Sequence, residues 1–231
     1  MRKDVFIETS NVARFRKAMA TLCDIDKGQP GFGVVQGEAG RGKTMAALNW
    51  HSLHGGIFLR VWQNWTQAAF LQALAFELTG DRPFGIQRCK LRIIEGLEEQ
   101  QQPIVIDEAD RLHIDRVEDL RDVHDMTGCP VIMVGEEGFH AKLHARRRIY
   151  SRITQCTEFK AVTPDDVILF GFQAAALNIS PEAAHQMAKI SKGSFRLVYS
   201  FVQQLEEFAK AQDCNDVDQK TLKKVNLRGR I

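Results

Sequence analysis

The stretch "FGVVQGEAGRGKT", residues 32–44, decides the fold. Its second part, residues 37–44, fits the pattern G-x-x-x-x-G-K-[ST] in full, and the apolar run at residues 32–36 is typical of a buried strand. The glycines let the backbone turn so that several N–H groups face one centre, and a helix beginning near Lys43 would add the positive end of its dipole. The stretch therefore predicts a strand, a phosphate-binding loop and a helix, in that order.

We expect this loop to bind ATP together with Mg²⁺. Lys43 would reach the β- and γ-phosphates, and the hydroxyl of Thr44 would bind the metal. The residues predicted to bind the nucleotide are Gly37, Glu38, Ala39, Gly40, Arg41, Gly42, Lys43, Thr44, Met45 and Asp107.

A second motif, "PIVIDEADRL" at residues 103–112, supplies the acidic groups that such a site needs. Asp107 ends a predicted buried strand, where its carboxylate would hold Mg²⁺ through water. Glu108 follows directly and is predicted to orient and deprotonate the attacking water.

The word Asp-Glu-Ala-Asp within this motif is also the signature of one class of RNA helicases. Such a helicase clamps the nucleotide between two α/β domains. Only about 120 residues follow Asp110, and the last 65 or so have helical periodicity, so we do not expect a helicase.

Apolar strands alternate with helices as far as about residue 161, which predicts an α/β fold with a parallel sheet covered by helices. Residues 81–90 are predicted to form a charged loop within it. Hydroxyl residues followed by proline at Thr163 and Ser180 then predict helix starts, and a third helix is expected from about Ser194. The predicted domains are residues 1–161 (an N-terminal helix plus the core), residues 162–212 (a small helical lid) and residues 213–231 (a polar basic tail).

Composition restricts the class of protein and its partners less than the motifs do. Hydrophobic residues make up 44% of the chain, which predicts a globular protein, and the formal net charge of +2 neither demands nor excludes nucleic acid as a partner. The start "MRKDVFIETS" has no apolar run after its basic residues, and no segment is long and apolar enough to span a membrane. The five cysteines include no CxxC pair. We therefore predict a cytoplasmic protein with reduced thiols and no membrane partner.

Taken together, these motifs resemble those of an AAA+ ATPase, which has a P-loop core and a small helical lid. "YSRITQCTEF" at residues 150–159 resembles the Ser-Arg box, in which one subunit's arginine reaches the γ-phosphate held by its neighbour. The resemblance makes Arg152 the candidate finger in trans, with residues 146–148, all arginine, as rivals. "GSFRLV" at residues 193–198 resembles the sensor 2 motif and implies that Arg196 acts on the nucleotide.

One element departs from the AAA+ pattern. The strand "VIMVG" should be followed by a polar sensor 1 residue, often Asn or Thr, but Glu136 stands there. A carboxylate facing the γ-phosphate would be repelled. Either Glu136 points away from the nucleotide, or hydrolysis is slow or differently gated.

Within the AAA+ class the chain resembles the phage Mu B transposition ATPase family. The stretches that carry the resemblance lie in the same order with similar gaps; they are "FIETSNVARF", "VVQGEAGRGKT", "LQALAFELTG", "IVIDEADRL", "VIMVGEE", "RRIYSRI" and "GSFRLV". The Mu protein also has an N-terminal helix-turn-helix domain, which we do not expect in this sequence.

The resemblance implies an ATPase that assembles as a helical filament on double-stranded DNA without strong sequence preference. It presents that DNA to a transposase, which stimulates hydrolysis. The basic segment at residues 81–92 would face the DNA, and the predicted phosphate contacts are Arg82, Arg88 and Lys90. Two alternatives stay open. One is a helicase-loading or replication-initiation ATPase that acts mainly on a protein partner, and the other is a nucleotide switch that barely hydrolyses ATP.

Overall fold

The structure is a computed structural model that describes residues 5–24, 31–225 and 227. The described chain divides into two compact units. The sheet unit contains residues 14–37 and 43–158, and the helical unit contains residues 5–13, 38–42 and the described residues from 159 onward. The middle of the predicted phosphate-binding loop thus groups with the helical unit.

The sheet unit alternates strands and helices as the sequence predicts. Its elements, with α1 beginning in the helical unit, are α1 (Ser10–Leu22), β1 (Phe32–Gln36), α2 (Lys43–His54), β2 (Ile57–Arg60), α3 (Gln67–Thr79), α4 (Ile86–Glu99), β3 (Ile104–Asp107), α5 (Ile114–Thr127), β4 (Val131–Val134), α6 (Phe139–His144), α7 (Arg147–Tyr150) and β5 (Ile153–Glu158).

The strands form one five-stranded sheet in the order β2-β3-β4-β1-β5, and every pairing is parallel. Strands β3 and β4 are buried at every position, because helices flank the sheet. The predicted α/β fold with a parallel sheet is confirmed. The sheet-unit core includes Phe32, Val34, Phe70, Leu74, Ile93, Ile106, Met133 and Phe139.

Strand β5 has no counterpart among the predicted strands. It lies at the edge of the sheet beside β1, and its six residues are mostly exposed or half-buried. An edge strand of this kind needs no continuous apolar run, so "ITQCTE" lacks the signal that identified the inner strands.

The predicted loop at residues 81–90 is wrong in its second half. Helix α4 begins at Ile86, so Arg88 and Lys90 lie on a helix. Its N-cap residue is Gly85, with φ 95° and no side-chain capping bond, so the sequence lacks the hydroxyl or carboxamide that usually marks a helix start.

The helical unit contains α8 (Pro164–Ala175), α9 (Pro181–Ile190) and α10 (Phe195–Gln212), close to the predicted helix starts. Thr163 caps α8 through a capping box with Asp166, and the Ser180 hydroxyl accepts a bond from Ala183 N. The helices pack around Val167, Phe170, Met187, Val198, Phe201 and Leu205.

The segment predicted as a polar tail carries regular structure. Strand β7 (Asp216–Val217) pairs in parallel with β6 (Asn178–Ile179), and α11 (Gln219–Val225) follows. Val217 and Leu222 are buried in the core of the helical unit, whereas residues 226 and 228–231 lie outside the described residues. The domain boundaries after residues 161 and 212 stay a prediction.

No helix in the described part of the chain combines the length and the apolar character needed to cross a lipid bilayer.

Candidate functional site

The loop of residues 37–44 connects β1 to α2, which begins at Lys43. Two of its glycines have conformations that other residues rarely adopt: Gly40 has φ 80° and Gly42 has φ 95°. A Cβ on Gly42 would meet no atom within 4 Å, so the backbone is open on that side. The loop therefore has the turn and the free space that a phosphate group requires, at the start of a 12-residue helix.

Lys43 lies among acidic groups. Its Nζ donates a 2.6 Å hydrogen bond to the carbonyl oxygen of Gly37. Burial lowers the pKa of Lys43, and the charges of four carboxylates oppose that shift; they belong to Glu136, Glu108, Asp110 and Asp107. Glu136 has the largest opposing effect, so the carboxylate at the predicted sensor 1 position acts on the same ammonium group that would hold the phosphates.

Asp107 is the last residue of β3 and is only 1% exposed. Its Oδ1 lies 3.1 Å from the hydroxyl of Thr44, which donates to it. Its Oδ2 accepts a 2.8 Å hydrogen bond from Nε of Arg60, the last residue of β2 and its partner in register. Both carboxylate oxygens therefore have a partner, as a buried charge requires.

Arg60 is not among the predicted site residues. The sequence does carry a signal, a single charged residue at the end of an apolar strand. Its partner, however, follows only from the sheet order, in which β2 lies beside β3.

Glu108 follows the strand in a left-handed conformation, with φ 58° and ψ 35°. Few non-glycine residues adopt this region, and strained backbone of this kind is frequent at active sites. Its Oε2 lies 3.2 Å from Nη2 of Arg111. The next turn, Ala109–Arg111, also contributes Asp110, whose Oδ1 accepts a 3.1 Å bond from the N–H of Glu136.

The donor set fits Mg²⁺. The hydroxyl of Thr44 and the carboxylate of Asp107 are hard oxygen ligands already within 3.1 Å of each other. Among the described residues no group of three or more His, Cys, Asp or Glu side chains could hold a metal by itself. Mg²⁺ is usually bound through one or two protein ligands plus substrate phosphates.

A family comparison identifies this arrangement. Residues 25–143, just over half of the chain, match the model of the AAA domain. The chain belongs to the AAA domain family. It is a P-loop ATPase of the AAA+ class that binds ATP, and family membership implies ATP hydrolysis.

One relative of the whole chain is similar to it at low identity. It is described as a potential ATP-binding protein of Staphylococcus aureus, is 24% identical over 253 residues, and is matched over 92% of this chain and 91% of its own length.

Several solved structures share the fold of this AAA domain chain. Cdc6p from Pyrobaculum aerophilum has a TM-score of 0.69 at 16% identity, over 96% of this chain and 69% of that one. The Thermotoga maritima RuvB Holliday junction branch migration motor has a TM-score of 0.65 at 20% identity, over 97% and 70%. The Aeropyrum pernix ORC1 protein in complex with DNA has a TM-score of 0.62 at 16% identity, over 96% and 65%. At such identities the likeness shows the fold alone, and the closer resemblance to the phage Mu B transposition proteins stays a prediction.

The middle of the phosphate loop, residues 38–42, belongs to the helical unit and contacts other residues of that unit. The side chain of Arg41 is 8% exposed and pairs with the carboxylate of Glu38. Its Nη1 donates a 2.8 Å hydrogen bond to the carbonyl oxygen of Lys192. The backbone N–H of Arg196, the sensor 2 candidate, donates to Gly40 O at 3.3 Å, while the Arg196 side chain is exposed. Ala39 and Met45 are also exposed.

Arg152, the candidate finger of the AAA domain, is held by its own chain. Its Nε and Nη2 donate to the two carboxylate oxygens of Asp125 at 3.0 and 2.8 Å, and the hydrogen bond with Arg152 lowers the pKa of Asp125. Its Nη1 donates to Arg148 O and Ser151 Oγ. The rival arginines at residues 146–148 are exposed, and none of them forms an ion pair within the described residues.

The three predicted DNA contacts differ in their surroundings. The guanidinium of Arg82 lies 4.2 Å from the ring centroid of Phe76, and Arg88 is exposed on α4. Lys90 forms a 2.7 Å ion pair with the buried carboxylate of Asp119. Its charge is therefore largely neutralised within the fold, whereas Arg82 and Arg88 are exposed.

Proposed function

We propose that this protein is an ATP-dependent, double-stranded-DNA-binding ATPase that assembles on DNA and delivers it as a target to a transposase. The observation that carries the catalytic part is the juxtaposition of Lys43, Thr44 and Asp107, with the Thr44 hydroxyl 3.1 Å from the Asp107 carboxylate. The DNA and transposase parts rest on the resemblance to the Mu B family and on exposed basic residues.

In this proposal the loop N–H groups and Lys43 bind the β- and γ-phosphates of ATP. Thr44 and Asp107 would hold Mg²⁺, which would supply positive charge to the phosphate oxygens. Glu108 accepts a proton from the water that attacks the γ-phosphorus, the bond from that phosphorus to the β–γ bridging oxygen breaks, and ADP leaves. Glu108 has to leave Arg111, 3.2 Å away, or keep it as a shared partner while it holds the water.

Two arginines complete the proposed reaction. Arg152 of one subunit stabilises the charge on the γ-phosphate held by the next, so hydrolysis requires assembly. In the isolated chain Arg152 is bound to Asp125, and the neighbour's phosphate would have to compete with that carboxylate. Arg196, whose N–H bonds the loop at Gly40, is the proposed sensor 2 residue.

DNA binding is proposed through phosphates, because Arg82 and Arg88 are exposed cations. Such binding is salt-dependent, with a slope that falls as phosphate contacts are removed. One of the solved structures that share this fold, the ORC1 protein, is described in complex with DNA, and another, RuvB, is described as a Holliday junction branch migration motor.

The test combines ATPase rates with negative-stain microscopy. The protein is mixed with ATP, Mg²⁺ and long duplex DNA, with and without a cognate transposase. Regular filaments on DNA and a DNA-stimulated rate support the proposal; closed rings or no dependence on DNA contradict it.

The DNA surface is tested by the double variant Arg82→Ala/Arg88→Ala. A matched control, Lys189→Ala/Lys220→Ala, removes the same charge from exposed positions of the helical unit. We expect a shallower salt dependence and weaker DNA binding in the first variant alone. Equal effects in both would mean that net charge, not this surface, controls binding.

A second candidate is a replication-initiation or helicase-loading ATPase. The shared fold with Cdc6p and ORC proteins favours it. Under that candidate, DNA would not stimulate hydrolysis, and closed rings would form instead of filaments.

A further inference from the structure

Arg41 occupies a position that the phosphate-loop pattern leaves open, yet it is one of the few charged residues buried in the described chain. Burying a guanidinium is unfavourable unless its donors are satisfied. Its two terminal nitrogens have separate partners: Nη2 pairs with the carboxylate of Glu38, within the loop, and Nη1 donates to Lys192 O, 151 residues along the chain.

The turn that receives Arg41 is shaped for it. Lys192 and Gly193 both have left-handed backbones, with φ 50° and 71°. A Cβ at Gly193 would collide with Nη1 of Arg41 and with Ala161, so the guanidinium packs directly against this glycine. The buried hydroxyl of Ser191 fixes the turn, since it accepts a 3.2 Å bond from Gly193 N and donates to Ala188 O.

One backbone hydrogen bond and one close approach hold the loop at the same place. Arg196 N donates to Gly40 O at 3.3 Å, at the start of α10. A Cβ on Gly40 would lie 2.5 Å from the hydroxyl oxygen of Ser194, which shows how closely the loop approaches this helix start. The segment at residues 38–42 is thus held against residues 192–196 by a side chain and by the main chain.

We infer that Arg41 is a positioning residue for the ATPase reaction, which fixes the phosphate loop in its nucleotide-binding shape by anchoring it to the turn at residues 191–194. The loop N–H groups can face a phosphate only while the backbone between Gly37 and Lys43 keeps its curl. An arginine is needed because its planar fork reaches two acceptors at once, which an ammonium group cannot do with the same geometry. This inference rests on the proposed nucleotide site at residues 37–44.

The first test measures binding of a fluorescent ATP analogue in the presence of Mg²⁺, together with KM and kcat for ATP. For Arg41→Ala we expect a dissociation constant and a KM raised about tenfold, with kcat changed less than twofold, because a misshapen loop weakens ground-state and transition-state binding alike. A merely destabilised fold would give the opposite result, a lower apparent kcat from fewer active molecules at an unchanged KM.

Two further variants test the guanidinium shape apart from its charge, and its docking apart from any change in the loop sequence. Arg41→Lys keeps the charge, and we expect it to recover less than half of the lost affinity; full recovery would overturn the inference. Gly193→Ala leaves the loop sequence unchanged, but its Cβ would displace both the guanidinium and Ala161; we expect the same rise in KM. The double variant Arg41→Ala/Gly193→Ala should be no worse than either single change.

The control for backbone strain at Gly193 is Gly80→Ala, because Gly80 has a similar φ of 76° but open space around it. It should leave KM unchanged. If Arg41→Ala does not fold, Gly193→Ala and Arg41→Lys decide the question by the same measurements.

Lys43→Ala distinguishes this inference from the proposed site. If Lys43→Ala abolishes binding of the analogue while Arg41→Ala and Gly193→Ala bind as the unchanged protein does, the inference is wrong and the site stands. If Lys43→Ala binds normally, the proposed site itself is wrong.

Discussion

Arg60 and Asp107 end neighbouring parallel strands and face each other in register, with Nε of the arginine 2.8 Å from Oδ2 of the aspartate. The carboxylate is almost fully buried, whereas half of the arginine side chain is exposed. Arg60 therefore supplies the positive charge at a carboxylate that is also the proposed ligand of Mg²⁺. We expect a bound metal ion to compete with this guanidinium for the Asp107 carboxylate.

The change Arg60→Ala tests this competition. We expect it to lower the free energy of unfolding by about 1–2 kcal/mol without Mg²⁺, because it leaves a buried carboxylate with one partner fewer. Added MgCl₂ should then raise the melting temperature of the variant more than that of the unchanged protein. Arg60→Lys serves as the control that keeps a cation. Identical Mg²⁺ responses in all three proteins would show that Arg60 does not compete with the metal.

Lys43→Ala should abolish ATP binding and, with it, the proposed ATP-dependent DNA binding, because the phosphates lose their main side-chain cation. Equilibrium binding of labelled ATP and a DNA mobility shift measure the two effects. Normal coating of DNA in the presence of ATP would remove Lys43 from the site.

Glu108→Gln should retain ATP and hydrolyse it at least about a hundredfold more slowly, since the amide cannot accept the proton. We expect assemblies on DNA to persist in this variant. The neighbouring Glu137 is exposed, so Glu137→Gln is the matched control for charge, and its rate should be unchanged. A wild-type rate for Glu108→Gln would exclude it as the base.

Arg152→Ala should bind ATP as the unchanged protein does but hydrolyse it about a thousandfold more slowly when assembled. Full activity would move the finger to residues 146–148. Asp125→Asn is the companion variant, because it removes the carboxylate that holds Arg152. The pKa of Asp125 is lowered in the fold, so its stabilising effect is present above the ordinary carboxyl pKa and is lost as the pH falls below it. In Asp125→Asn the free energy of unfolding should therefore fall less steeply as the pH is lowered through that range.

Replacing Lys90 should destabilise the fold, whereas replacing Arg88 on the same helix should not. Asp119 is buried and accepts from Lys90 at 2.7 Å and from Gln67 at 2.9 and 3.0 Å. Lys90→Ala should lower the free energy of unfolding by about 2 kcal/mol, whereas Arg88→Ala should leave it unchanged. Chemical denaturation checks both values, and equal stability of the two variants would contradict this role of Lys90.

The Lys90 effect also has a pH dependence. Burial lowers the pKa of Lys90, but its bonds and charges with Asp119 and Asp122 outweigh this and raise the pKa overall. The stabilisation is thus complete below the ordinary lysine pKa and is lost as the pH rises through the raised value. The stability difference between the unchanged protein and Lys90→Ala should shrink only in strongly alkaline solution.

Contiguous stretches of sequence are enough to predict most strands and the two nucleotide-site motifs. They are not enough to predict contacts between residues that are far apart in the chain. The strands at residues 32–36, 104–107 and 131–134 are buried on both faces, so their apolar runs identify them. The phosphate loop and the acidic pair at residues 107–108 are also local, because each motif is contiguous. The polar edge strand β5 and the uncapped start of α4 carry no such signal.

The contacts that shape the candidate site depend on the fold. Arg60 reaches Asp107 only because β2 lies beside β3 in the sheet. Arg41 bonds a carbonyl group 151 residues away, in a turn whose shape the loop motif does not encode. Glu136 was identified from its position, but its action on Lys43 depends on how β4 and α2 are arranged.

The acidic surroundings of Lys43 have a physiological consequence. Four carboxylates act on this ammonium group, and the guanidinium of Arg41 is already committed to Glu38. A bare triphosphate would enter a region rich in negative charge, whereas a triphosphate that arrives with its divalent ion would not. We therefore expect occupancy of the nucleotide site to depend on the concentration of metal-complexed ATP. In a cell with little free magnesium, this ATPase would be inactive even when total ATP is high.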